Sequence, residues 1–546
     1  MLKIIQKHLD TKLIKLALVL AFIYCLLFNS AVLIYKFDYY KASFFKAILE
    51  LTKDFCYIYI FSFIIFFGFT VHRLILTIGT IFLFVTSAIA SYYLYFFKIK
   101  PTKEMMGSFF STDLNEIYEL ISIRLIIWLI FSLFACLYTL KNFTITNTNS
   151  FITKLLSAIC LLIFVNTIIS PPFKILNNYF PVQYLHNTYL NFAQNFSNRH
   201  LAKIDISQKY NFVDKSDQAI IGVLVIGESA RFDHFGINGY VRDTTPYLSS
   251  TPNVFSFKAK SSSNLTYISV PSLLSRHNAS NLEDSKRETS FLSVLTKLGF
   301  NTDWIGTQTL MRNFANFNLG TIYDEVNFTI IPGGSALFAL NDYDAKMLPF
   351  IEEMLKHAEK QFLVIHTSGS HWNYTTRYPK EFERFTHTCA VIAKADPSSC
   401  DKSALINSYD NSILYTDFFL HNVINLLKDK NSFFIYVSDH GESLGEDGYY
   451  GHGGPLLDQQ ITVPFIAWVS DKFKSAHPKL VASIENQVNS EISHDYVFHS
   501  ILDCLNIGSE IIDKDLSLCG KQIQLNSESF RQDEFKDESA QAVKST

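Results

Sequence analysis

Five stretches without a charged residue crowd the first 175 positions: Leu16–Tyr35, Phe55–Val71, Leu74–Phe97, Leu125–Leu140 and Leu155–Phe173. Crossing the hydrocarbon core of a bilayer takes about 20 helical residues, with roughly 17 to 25 as the usual range. The first and third stretches meet that length easily, and the second and fourth sit at its short end. The fifth runs into Pro171-Pro172, which stops a helix. The pattern predicts a membrane domain of five helices over residues 1–175, with the two ends of the chain on opposite sides. A lysine-rich approach to the first stretch (Lys3, Lys7, Lys12, Lys15), with no small-residue cleavage site after it, predicts a retained anchor rather than a cleaved signal peptide. Flanking lysines and arginines divide almost evenly between the two sides and leave the orientation open.

Phenylalanine is abundant, at 50 residues, and its excess falls in this membrane part. A formal net charge of −3 gives no support for a nucleic-acid partner. Cys25, Cys56, Cys136 and Cys160 lie in or beside the apolar stretches and read as small packing residues. Cys389 and Cys400 bracket a short polar loop, and Cys504 and Cys519 form another close pair. An even number of cysteines in the polar part suits an oxidising compartment, which favours a domain outside the cytoplasm.

Residues 176–217 read as a polar, aromatic-rich bridge, either an interfacial helix or a linker packed on the next domain. From 218 to 521 short β-branched runs alternate with helical stretches. Strands are expected at Ala219–Ile226, Asp303–Ile305, Phe362–His366, Phe433–Ser438 and Val463–Trp468. Helices are expected at Phe291–Leu298, Asp344–Glu359, Leu405–Lys428 and Ser493–Leu505. Such alternation predicts an α/β domain with a mainly parallel sheet sandwiched by helices, whose ligands gather beyond the carboxyl ends of the strands. Residues 522–546 are polar and charged and are expected to be disordered.

Two of the expected strands end in the same triplet, Gly227-Glu228-Ser229 and Gly441-Glu442-Ser443, the second just after Asp439-His440. Carboxylate oxygen and imidazole nitrogen are ligand types that zinc or manganese accepts, although a lone Asp-His pair is more often a hydrogen-bonded corner. Glu228 supplies a second carboxylate, and His366, His371 and His452 follow in nearby segments, so a site for one or two metal ions is plausible. Glu442 reads as a turn residue. Ser229 resembles a nucleophile elbow, but Arg231 replaces the second glycine of that motif, and a helix cap is the better assignment. In the hydroxyl-rich segment Ser261–Ser272, either Thr266 or Ser269 could present an oxygen to a metal from a helix N-terminus, with capping as the plain alternative.

In combination these residues resemble the phosphoethanolamine transferases of Gram-negative inner membranes, within the alkaline phosphatase/sulfatase superfamily. The matching pieces run in order from Val225 to Gly453: Val225-Ile-Gly-Glu-Ser-Ala-Arg231, Arg242-Asp-Thr-Thr-Pro246, Thr266-Tyr-Ile-Ser-Val-Pro271, Gly369-Ser-His371, Tyr409-Asp-Asn411, Ser438-Asp-His-Gly-Glu-Ser-Leu-Gly445 and His452-Gly453. The resemblance implies that Thr266 is the nucleophile and that Glu228, Thr266, Asp439 and His440 hold a zinc ion, with manganese less suited. It implies that His371 and His452 touch the substrate phosphate or a second metal. It also implies that Thr112 and Glu116 help to form the lipid-substrate site, that Gln308 and Arg312 contact the headgroup, and that Cys389 pairs with Cys400. Ser108 stands where the family usually has Asn, Arg312 where it often has lysine, and Ser262 and Ser272 replace a cysteine pair often found around the nucleophile. Leu273 stands where a sulfatase signature needs Arg, which argues against formylglycine chemistry.

The expected activity is transfer of phosphoethanolamine from phosphatidylethanolamine to a lipopolysaccharide acceptor, with the catalytic domain in the periplasm. The alternatives are a glycerol-phosphate transferase of the lipoteichoic acid synthase type, a phosphatase that uses water, and a non-enzymatic membrane-anchored protein. Donor lipids tested one at a time would separate the first two, and bound metal would separate an enzyme from the last.

Overall fold

The computed structural model describes residues 9–39, 44–112, 117, 120–143, 150–172, 174–199, 203–281, 287–307, 326–330, 343–356, 360–389 and 396–520. Five helices in it are long and apolar enough to cross a membrane: Thr11–Phe37, Phe44–Phe69, Arg73–Phe97, Ile123–Asn142 and Phe151–Ile169. They coincide with the five charge-free stretches. The second begins well before its apolar run, because the helix continues through Lys46, Glu50, Lys53 and Asp54. The fifth ends before the prolines, with Ser170 as its cap.

Edge-to-face contacts among Tyr24, Phe28, Phe66 and Phe84 fill the centre of the bundle. The first helix carries a π turn at Cys25–Asn29. Buried Asn29 would be costly in an apolar bundle without partners. Its amide donates to the Phe180 carbonyl at 3.1 Å and accepts from the Phe180 N–H at 2.9 Å, which ties the bridge segment to the bundle. Beyond Phe180 the bridge forms the helix Val182–Arg199, which packs on the short helix Lys103–Ser111.

The second part of the chain is built on an eight-stranded sheet. Its strands, in chain order, are β1 (Ile221–Gly227), β2 (Val254–Lys260), β3 (Asn301–Gly306), β4 (Asn327–Ile330), β5 (Gln361–His366), β6 (Ser432–Ser438), β7 (Thr462–Val469) and β8 (Glu491–Ser493). They lie in the order β8-β2-β7-β6-β1-β5-β3-β4, and only β7 runs against its neighbours. Along β1, Leu224 and Ile226 enter one core and Val223 and Val225 the other, so both faces are covered. Double burial explains why β1, β5 and β6 read as continuous apolar runs. The expected mainly parallel sheet between helical layers is the observed architecture.

Three strands of this sheet escaped the sequence pattern: β2, β4 and β8. The helix expected over Asp344–Glu359 is instead a 3₁₀ turn, Asp344–Met347, followed by the short helix Leu348–Met354. Asp344 is drawn inward, because its carboxylate accepts the N–H groups of Ser368 at 2.8 Å and Gly369 at 3.1 Å. The helix expected from Ser493 starts at Tyr496, since Ser493 itself closes β8. Disulfides join Cys389 to Cys400 and Cys504 to Cys519.

Candidate active site

Strands β1 and β6 are parallel neighbours with Gly227 opposite Ser438, so the residues that follow them leave the sheet side by side. Those residues are Glu228 and Asp439, and the Asp439 N–H holds them together by donating to the Gly227 carbonyl at 2.9 Å. His440 comes next. One ligand atom each from Glu228, Asp439 and His440 lies within 4.8 Å of the others, and all three residues are buried.

The details favour a cation between them. The Nδ1–H of His440 donates to the Gly441 carbonyl at 2.8 Å, which leaves Nε2 with its lone pair. Burial first, and neighbouring His452 second, push the imidazole pKa down to about 3, so the ring is neutral. Its Nε2 stands 3.4 Å from a carboxylate oxygen of Glu228 and 3.4 Å from one of Asp439. Asp439 Oδ1 accepts the N–H groups of His440 at 2.7 Å and Ser229 at 3.3 Å, whereas Oδ2 has no hydrogen-bond partner. Burial and the adjacent Glu228 charge raise the Asp439 pKa well above the usual carboxylate range. Two crowded carboxylates and an imidazole lone pair turned toward one point fit a divalent metal ion.

Thr266 opens the helix Thr266–Leu273 and faces this point. Its Oγ1 is 3.3 Å from Glu228 Oε2 and 3.3 Å from His440 Nε2. Ser269, the other hydroxyl candidate, is fully buried within the same helix with no hydrogen-bond partner, and the structure does not bring it to the cluster. The helix itself lies against Lys103–Ser111. A Cβ added at Gly107 would come 3.0 Å from the Tyr267 ring, and Asn195 donates to the Tyr267 hydroxyl at 3.3 Å.

A second group borders the first. The ring of His452 lies 4.1 Å from that of His440 and 5.6 Å from that of His371. His371 reaches this position on a loop whose Gly369, at φ +48°, passes so close to Glu228 that a Cβ would meet its backbone at 2.8 Å. Its Nδ1–H donates to the Trp372 carbonyl at 2.7 Å, and burial pushes its pKa down to about 4. His452 behaves in the opposite way: burial alone would lower its pKa, but the Glu442 carboxylate, backed by Glu228 and Asp439, raises it to about 9. Its Nδ1 lies 3.5 Å from Glu442 Oε1.

Several expectations change here. Glu442 is not a turn residue. It is fully buried, neither carboxylate oxygen has a hydrogen-bond partner, and its side chain faces His452. The repeated Gly-Glu-Ser triplet was the signal that could have found it. Ser229 caps no helix either; at φ +58° its hydroxyl donates to Glu228 Oε1 at 2.8 Å. His366 ends β5, as the expected strand Phe362–His366 has it, and is fully buried. Thr112 turns its hydroxyl back to the Ser108 carbonyl at 2.9 Å, capping its own helix. Glu116, Gln308 and Arg312 lie outside the described residues.

Residues 221–507, more than half of the chain, match the sulfatase family model, and residues 57–179 match the model described as phosphoethanolamine transferase EptA/EptB. The chain belongs to the sulfatase family, in its phosphoethanolamine transferase branch. Among relatives of this transferase-family chain is the Kdo(2)-lipid A phosphoethanolamine 7''-transferase of Salmonella typhimurium, 27% identical over 91% of this chain and 94% of that protein. The fold is shared with the integral membrane lipooligosaccharide phosphoethanolamine transferase EptA from Neisseria meningitidis, at a TM-score of 0.76 and 23% identity, covering 92% of this chain and 97% of that one. The periplasmic domain of EptC from Escherichia coli, solved as a complex with Zn, aligns over 58% of this chain and 90% of its own, at 25% identity and a TM-score of 0.52.

Proposed function

We propose that this chain transfers phosphoethanolamine from phosphatidylethanolamine to a lipopolysaccharide acceptor, a lipid A phosphate or a core sugar, in the inner membrane of a Gram-negative cell. The observation that carries this proposal is the position of Thr266 Oγ1, 3.3 Å from both a carboxylate oxygen and the free imidazole nitrogen of a buried three-residue metal cluster. The name of the Salmonella relative and the Zn-bound EptC domain support the substrate class and the metal. Zinc held by Glu228, Thr266, Asp439 and His440 would lower the hydroxyl pKa and neutralise charge that builds on phosphoryl oxygens.

The residues then divide the work. Thr266 Oγ passes its proton to Glu228 Oε2, to which it donates at 3.3 Å, and attacks the donor phosphorus. The bond from phosphorus to the diacylglycerol oxygen breaks, and that oxygen takes a proton as diacylglycerol leaves. Protonated His452, kept charged by Glu442, faces the cluster and supplies that proton or pairs with the phosphate, while the Nε2 lone pair of neutral His371 would suit a second metal ion beside it. In the second half an acceptor oxygen attacks the phosphothreonine, and Thr266 Oγ leaves and regains its proton. Thr112 and Glu116 are assigned to the lipid site and Gln308 and Arg312 to the headgroup. The catalytic domain faces the periplasm, where neutralising envelope phosphates would raise resistance to cationic peptides such as polymyxin.

In purified full-length protein given phosphatidylethanolamine, Thr266 gains one phosphoethanolamine by intact mass and diacylglycerol is released. Wild-type diacylglycerol release from Thr266→Ala would falsify the nucleophile assignment.

A further inference from the structure

A cavity of about 270 Å³ opens among the first, third and fourth membrane helices. Leu27, Ala31 and Ile34 line it from the last three turns of Thr11–Phe37, Ser91 and Tyr92 from the last two turns of Arg73–Phe97, and Trp128 from the second turn of Ile123–Asn142. All three stretches sit at the end of the bundle that adjoins the catalytic domain. Lys98, just past Phe97, lies beside Gly454, and Met105 touches Gly453. At 1.5 Å of rise per residue the cavity therefore begins within roughly one to two helical turns of that face.

The walls are mainly hydrocarbon, and three of the four residues that bring hydroxyls to them hold those hydroxyls in bonds within the protein. Ser91 Oγ donates to the Ala88 carbonyl at 3.1 Å and accepts from Trp128 Nε1 at 3.2 Å. The Tyr92 hydroxyl pairs with Ser122 at 2.6 Å, and Ser30 Oγ donates to the Leu27 carbonyl at 3.3 Å. With these hydroxyls engaged inside the protein, the space suits an alkyl chain and repels a headgroup. The cavity wall also reaches toward the site. Tyr92 and Trp128 belong to an apolar cluster with Phe97 and Leu125 against which Tyr450 packs, and Tyr450 is two residues from His452.

We propose that this cavity seats one acyl chain of the glycerophospholipid donor and so presents its phosphate to the loop that carries His452. The assignment rests on the lipid-donor function proposed above. A chain held there would leave the ester end of the lipid at the face between the two domains, beside Gly453 and Leu265, which precedes Thr266.

The test uses the full chain in lipid nanodiscs with a phosphatidylethanolamine that carries a photoreactive group midway along one chain. Labelling is expected on peptides that contain residues 27–34 and 91–96. Ala31→Trp, and independently Ile34→Trp at the exposed edge, should cut that labelling and raise KM for the long-chain donor about tenfold, since a filled chain site forfeits about 1.4 kcal/mol. Both should leave metal content and turnover of a water-soluble, short-chain phosphatidylethanolamine unchanged. Labelling confined to other peptides, or an unchanged KM in both folded variants, overturns the proposal. Labelling of this cavity with no transfer from either donor would support the chain site and count only against the transferase function.

Discussion

The two halves of the site are built differently, although their rings stand 4.1 Å apart. Glu228, Asp439 and His440 leave paired strand ends, and the backbone fixes the Asp and the His through hydrogen bonds to their second atoms. His371, His452 and Glu442 ride on loops, and the charges of His452 and Glu442 balance one another rather than being held by the sheet. The first half fits a constant occupant, a divalent cation that would relieve the crowding of two carboxylates. The second is arranged for a visitor whose charge arrives and departs. The proposed transfer needs both, a rigid place to activate the nucleophile and a responsive place to meet the phosphate.

The strongest way to break this contrast is to remove the proposed nucleophile, which stands beside the rigid half. Thr266→Ala should lower diacylglycerol release at least about a thousandfold while metal content by elemental analysis stays at wild-type level. Asp439→Asn strikes the rigid half and should abolish metal retention, leaving a folded but inactive protein by circular dichroism. His452→Ala and Glu442→Gln strike the responsive half and should keep the metal while lowering turnover about tenfold to a hundredfold.

The pH dependence separates the halves further. The Glu442 carboxylate holds His452 protonated up to about 9, so activity that needs the imidazolium falls as pH rises through that value. Glu442→Gln removes the charge and should move this alkaline limb toward the ordinary imidazole range near 6.5. In the rigid half, the raised pKa of Asp439 means that metal binding displaces a proton. Affinity should therefore increase with pH, and calorimetry in buffers of different ionisation enthalpy should register the released proton. The smallest effect belongs to the domain contact. Arg124, half exposed, pairs with Asp396 at 2.7 Å, and Arg124→Ala should cost about 0.5 kcal/mol of thermal stability with little change in turnover.

Much of this was legible in the chain, for physical reasons that also explain the rest. Ile221–Ile226 and Phe433–Val437 announce central strands because both faces are buried, and the acidic and imidazole residues directly after them mark the rigid half. β2 stayed hidden because Lys258 and Lys260 alternate with Phe257 and Ala259, which breaks the apolar run. β4 and β8 are too short for any period to show. Asp344 looked like the start of a helix because a sequence does not show that its carboxylate will gather two backbone N–H groups from a loop 24 residues on. Glu442 looked like turn chemistry for a related reason. Its role depends on His452, which only the fold brings to its side chain.

The helix Thr266–Leu273 rests on Lys103–Ser111, and the His452 loop meets both Met105 and Leu265. With the proposed lipid donor, that contact makes the protein a surface catalyst whose substrate is counted per unit area of bilayer. Its rate should follow the mole fraction of phosphatidylethanolamine among the surrounding lipids rather than the amount in the tube. Adding inert phospholipid at constant donor should slow turnover by dilution within the plane, while adding buffer should leave it unchanged.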